Sequence, residues 1–272
     1  MASSNKVAYH ARSISLPTRS NPLTVTVEEQ LCRLRSSELA ASSSSSSSIS
    51  HHLVGLKDLF ECVEDFLQMQ STKQAFSVNS VDGVLDGSIM LLDVCGTIMD
   101  VLSQMKQCVQ DLQSSIRRRT NDIGAYMTSR KKVTKVIRKC LSDLKRMNNK
   151  NNDLVAEVNV LREVEATTLA IFESLLSFLS GPKQSSWSLI SKVMPTKRVA
   201  HKGEEDINEV MKIDVALNTL ISHKTSKGIE VNDVQKSLEA LEMSLQDLED
   251  GVESVSKCLI KNRVSILNIL NQ

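Results

Sequence analysis

The sequence predicts an all-α protein: an elongated antiparallel helical bundle of long, coiled-coil-like helices behind a disordered N-terminal tail. Three observations predict it. Aromatic residues make up 3% of the 272 positions, with 9 glycines and 4 prolines, so the rings and turn residues that a sheet needs are scarce. All four prolines lie at Pro17, Pro22, Pro182 and Pro195, which leaves no strong helix breaker between Leu23 and Gly181. Apolar residues recur at spacings of three and four in every long segment, and at 41% of the chain they suffice for a buried core.

Residues 1–48 read as a disordered, basic, Ser-rich tail with one short helix, and residues 49–272 as a single helical-bundle domain. The short helix begins at about Thr26, whose hydroxyl is placed to cap it ahead of Glu28 and Glu29. Ser42 to Ser48 reads as a flexible linker too polar to bury. Leu53, Leu56, Leu59, Phe60, Val63, Phe66 and Leu67 then define a first core helix that fades near Gln70. A second, long amphipathic helix runs from Leu85 to Ile116. A third follows Asn121 and carries Val133, Ile137, Cys140, Leu144 and Met147. A fourth runs from Leu154 to Leu179 and is stopped by Gly181-Pro182. The segment 183–202 is weakly patterned, with Trp187 as an anchor onto the bundle, and a short helix from about Glu204 to Ile221 comes next.

The last helix is the most regular. Val231, Val234, Leu238, Leu241, Leu245, Leu248, Val252, Val255 and Leu259 alternate spacings of three and four, a packing seam that needs a partner helix along its length. The e positions Gln235, Glu242, Glu249 and Ser256 would set acid against acid in a symmetric parallel dimer, which favours packing within the chain over a partner chain's helix. The oligomeric state is left open.

Charge is unevenly distributed although the total is +1. Residues 117–150 hold twelve Lys or Arg against Asp122 and Asp143, a balance of +10, whereas residues 203–256 hold thirteen acids against four lysines, a balance of −9. The simplest expectation is that the two segments pack together and neutralise each other. The alternatives are that Arg130, Lys131, Lys132, Lys135, Arg138 and Lys139 form a contact face for an anionic membrane surface or for nucleic acid. Nucleic acid is the weaker of these, because no aromatic residue interleaves the charges to stack on bases.

Several segments carry a family resemblance. They are Tyr9-His10-Ala11-Arg12-Ser13-Ile14-Ser15-Leu16-Pro17, Leu31-Cys32-Arg33-Leu34-Arg35-Ser36-Ser37, Leu85-Asp86-Gly87-Ser88, Leu91-Leu92-Asp93-Val94-Cys95, and Ser129-Arg130-Lys131-Lys132-Val133. Phe172 to Leu179 and Arg263 to Asn271 complete the set. The sequence resembles a plant-specific family of proteins of unknown function related to BYPASS. The resemblance implies a helical protein connected with root and shoot development, and it brings no catalytic motif with it.

No enzyme chemistry is expected. The five histidines show no metal-ligand spacing, and the phosphate-loop, dinucleotide and nucleophile-elbow patterns are missing from the sequence, so neither a cofactor nor a metal is anticipated. The six cysteines sit at wide intervals without a C-x-x-C pair, as reduced thiols in a cytoplasmic or nuclear protein would. Residues 1–27 overlap in composition with a chloroplast transit peptide, but Pro17 and Pro22 would interrupt an amphipathic helix there and favour an ordinary tail. Within that tail, Arg12, Ser13, Ser15 and Pro17 fit R-S-x-S-x-P, the motif in which a phosphoserine is read by a 14-3-3 protein. The expected role is a non-enzymatic adaptor or scaffold, with peripheral attachment to anionic lipid through residues 130–146 as the alternative.

Overall fold

Pro22 opens the first helix rather than interrupting it. In the computed structural model, which describes residues 22–40, 45–78, 81–120, 122–147, 156–181, 208–222 and 228–271, α1 spans Pro22–Ala40. Proline is tolerated at a first helical position, where its missing N–H would have no partner anyway. Thr26 is therefore not the cap: it lies one turn inside and its hydroxyl donates to the Pro22 carbonyl at 2.9 Å. Val27, Leu31 and Leu34 are buried, and α1 packs on α2 (Ser46–Leu67) and α6 (Ala156–Ser180) as part of the core.

The serine run is also reassigned where it is described. Ser45 caps α2 by accepting from the Ser48 N–H, and Ser46 is buried with its hydroxyl on the Glu209 carboxylate at 2.9 Å. Serine at a helix start satisfies free backbone donors, so a stretch that reads as a linker becomes a cap and a first turn. Past Leu67 the chain does not fade. It forms α3 (Gln70–Val78), which buries Phe76 beside the C-terminal helix.

α4 (Asp82–Arg117) is 36 residues long, about 54 Å at the helical rise. It ends in a paired capping turn: Thr120 N–H reaches the Ser115 carbonyl and Arg119 N–H the Ile116 carbonyl, with Arg119 at φ 59°. Arginine thus occupies the left-handed position where glycine is usual. The tight turn sends α5 (Ile123–Met147) back along α4. α6 ends at Ser180, and Gly181 supplies the positive φ of 69° that releases the chain. Pro182 and Trp187 lie outside the described residues.

α7 spans Glu209–Ser222, where a short helix from about Glu204 to Ile221 is expected, and residues 204–207 lie outside the described residues. Asn208 caps it, accepting from Met211 N–H at 2.9 Å. α8 (Gly228–Leu270) runs for 43 residues. Its pairings show the core: α8 packs on α2 and α4, and both of those pack on α6, closing a four-helix ring. α1 lies in the groove of α2 and α6, and α5 in that of α4 and α6. α8 runs antiparallel to α4, as Lys106–Glu249, Gln113–Glu242 and Arg117–Glu239 show, and parallel to α2, as Ser46–Ser244 and Asn262–Phe60 show.

Candidate functional site

The structure divides the charged segments in a way the sequence does not. α5 buries Tyr126, Val133, Ile137, Cys140 and Leu144 against α4 and α6. On its opposite face Lys131, Lys132, Lys135, Arg138 and Lys139 are exposed. None of these five has an ion-pair partner among the described residues. The expected mutual neutralisation of basic and acidic segments is thereby corrected. Among the described residues the two segments form ion pairs only where Arg117 approaches Glu239 at 3.8 Å and Arg130 approaches Asp214 at 3.4 Å. The physical reason is magnitude: burying one large aliphatic side chain is worth about 1.5–3 kcal/mol, and an exposed ion pair about 0–1. The apolar stripe therefore decides where α5 goes.

The acids of α8 find partners on α4 instead. Lys106 bonds Glu249, while Gln110 and Gln113 donate to the Glu242 carboxylate at 2.7 and 2.9 Å.

Arg130 does not belong to the basic contact face. It is buried, 5% exposed, on the same stripe as Tyr126 and Val133, and forms a polar latch between α5 and α7. The spacing Tyr126, Arg130, Val133, Ile137 is itself apolar-periodic, so the sequence carried the signal that Arg130 faces inward. Asp214, which reads only as one more acid, supplies the partner. Tyr126 Oη donates to Asp214 Oδ1 at 3.1 Å, and Arg130 Nη1 donates to Thr134 Oγ1 at 3.1 Å. Arg130 Nε stands 3.4 Å from Asp214 Oδ2, close enough for charge attraction but without hydrogen-bond alignment. Burial raises the Asp214 carboxyl above the ordinary carboxylate range despite the opposing pull of Arg130 and Tyr126. Burial, then the neighbouring Asp214, pushes the Tyr126 phenol far up, so it stays a neutral donor.

Beside the latch lies a concavity of about 250 Å³ lined by Cys108, Ser115, Tyr126 and Ser129. Its hydroxyls serve the α4–α5 turn: Ser115 Oγ lies 2.8 Å from Thr120 Oγ1 and accepts from Asp122 N–H. Among the described residues no group of three or more His, Cys, Asp or Glu is placed to hold a metal ion, and no helix is long and apolar enough to cross a membrane. All six cysteines are free, and burial pushes the Cys95 thiol up to about 12.

The seam residues Val234, Leu238, Leu241, Leu245, Leu248, Val252, Val255 and Leu259 are buried within the chain, on the α2 and α4 side of α8. The side chain of Val231 lies outside the described residues. Beyond Leu259 the stripe continues through Asn262, Ile266 and Ile269, with Asn262 Nδ2 donating to the Phe60 carbonyl at 3.0 Å. One polar residue had hidden the continuation. The motif Arg12, Ser13, Ser15 and Pro17 also lies outside the described residues.

The model of the family described as Protein BPS1 matches residues 52–269, which is most of the chain and all four helices of the core ring over most of their length. The chain belongs to the BPS1 family. No curated protein and no solved structure matches it. The BPS1 match begins inside α2, and α1 packs onto the matched region through α2 and α6. The BPS1 family is the one the BYPASS-like segments indicated, and membership points to a protein connected with plant development.

Proposed function

We propose that this BPS1-family chain is a non-enzymatic helical adaptor in plant root and shoot development, with the outer face of α5 as its docking surface. One observation carries the reading. Lys131, Lys132, Lys135, Arg138 and Lys139 occupy one solvent face with no acidic partner among the described residues, although the chain holds as many as thirteen acids in residues 203–256. A positive face left unpaired inside a nearly neutral chain is a surface for something anionic outside it. The phosphoserine motif at Ser15 supplies a second attachment in the adaptor reading, with a 14-3-3 protein as reader.

A second reading is peripheral membrane attachment. The form of the face favours it: four of the five charges are lysines, compact point charges suited to a diffuse anionic surface, and Val136 stands 42% exposed beside them. Cosedimentation with phosphatidylserine vesicles and affinity capture from plant tissue, run on the same proteins, separate the two. With each lysine near an anionic surface worth about 1 kcal/mol, Lys131→Glu, Lys132→Glu and Lys135→Glu together should weaken vesicle binding at least a hundredfold. If vesicles are ignored by wild type while captured partners are lost in the triple variant, the adaptor reading stands and the membrane reading falls. Partners lost only in Ser15→Ala would assign adaptor contact to the tail rather than to α5. Loss of neither binding in any variant would overturn the proposal.

A further inference from the structure

The seam on α8 is occupied within the chain, yet the helix carries a second stripe on its outer face. Met243 is 71% exposed, Ile260 and Val264 are each 50% exposed, and Leu267 is 37% exposed. Ile260, Val264 and Leu267 follow one another at four and three, and Met243 continues the same alternation 17 residues earlier through Gln246, Asp250, Glu253 and Lys257. A helix with apolar stripes on two faces is characteristic of one covered on both.

From Met243 onward, charge along this outer face changes sign once, between Glu253 and Lys257, which pair at 2.7 Å within the helix. Asp250 and Glu253 are exposed on its N-terminal side and Lys257 and Lys261 on its C-terminal side, and from Ser254 to Gln272 there is no acid at all. A surface that is acidic at one end and basic-apolar at the other is complementary to itself when reversed. Parallel pairing would set acid on acid and base on base.

We infer that the outer face of α8 is a homodimer interface in which two copies of the chain pair antiparallel. Centring the pairing between Glu253 and Ser254 sets Lys257 opposite Asp250 of the second copy. The same register puts Val264 opposite Met243 of the second copy and Leu267 opposite Ala240 of the second copy. The interface is isologous, as a two-fold dimer requires; of the four exposed apolar side chains, those at 243, 264 and 267 gain an apolar neighbour, while Ile260 falls opposite Asp247 of the second copy. It lies on a different helix from the basic face of α5, so the two surfaces work independently.

The test is sedimentation velocity of the full chain, with circular dichroism to confirm that each variant remains helical. Wild type should dimerise below about 100 μM. Val264→Asp should weaken the dimer roughly a hundredfold by burying a charge at its apolar end. Asp250→Lys and Lys257→Asp should each produce a monomer, and the double variant Asp250→Lys with Lys257→Asp should restore the dimer, because only an antiparallel partner brings 250 and 257 together. The α5 variant Lys131→Glu, Lys132→Glu, Lys135→Glu should dimerise like wild type. A monomeric wild type over that range, a dimer indifferent to Val264→Asp, or a double charge swap that stays monomeric would each overturn the inference. So would a monomer that binds phosphatidylserine vesicles through Val264.

Discussion

At the level of single residues, the latch between α5 and α7 shows how a charge changes meaning on burial. A buried ion pair gains little over apolar packing, whereas a single buried charge left behind is costly. Arg130→Met alone should therefore lower stability by about 3–5 kcal/mol, and Arg130→Met with Asp214→Leu should recover most of it, as read from urea denaturation midpoints. The pH dependence has a definite sign. Because burial raises the Asp214 carboxyl, the folded state holds that proton more tightly than the unfolded chain does. Its contribution to stability is complete below the unfolded value near 4 and is lost as the pH rises through the raised folded value. Asp214→Asn should flatten that fall in the acid range above about pH 4. The sequence disclosed the inward turn of Arg130 through its place on an apolar stripe, but not the identity of its partner, 84 residues away.

At the level of elements, helix existence follows from periodicity and helix contacts follow from side-chain volume. α4 contains Gly96 and α8 contains Gly251, and composition treats them alike. A Cβ at Gly96 would meet nothing within 4 Å, whereas one at Gly251 would lie 2.9 Å from Leu53 Cδ1 and 3.1 Å from Leu53 Cβ. Gly251 is thus the close crossing of α2 and α8. Gly96→Ala should stabilise by roughly 0.5–1 kcal/mol through helix propensity alone, and Gly251→Ala should destabilise by about 1 kcal/mol because overpacking outweighs the same gain. Thermal melts of the two variants should move in opposite directions. α3 is hard to read from sequence for a comparable reason: nine residues in which Phe76 is the one large buried side chain among those described carry too short a pattern to be read as a helix.

At the level of the whole molecule, α1 joins the four-helix ring instead of trailing from it. Val27, Leu31 and Leu34 bury their side chains, and Arg35 reaches Glu163 at 3.1 Å. A chain beginning at residue 45 should lose about 5 kcal/mol, a large share of what holds a domain of this kind folded, and its urea midpoint should fall accordingly. Unchanged stability would return α1 to the tail. Composition, proline placement and three-and-four spacing were enough by themselves to determine the helical class and the long helices, because helix formation and amphipathicity are local in sequence, while the family was legible separately, in particular segments such as Ser129 to Val133 and Phe172 to Leu179. Which faces meet was decided only by tertiary packing. The buried apolar stripe of α5 outweighs the attraction between opposite charges, so the basic segment lies beside α4 and α6. That packing turns Arg130 inward to Asp214 and leaves Lys131, Lys132, Lys135, Arg138 and Lys139 facing solvent.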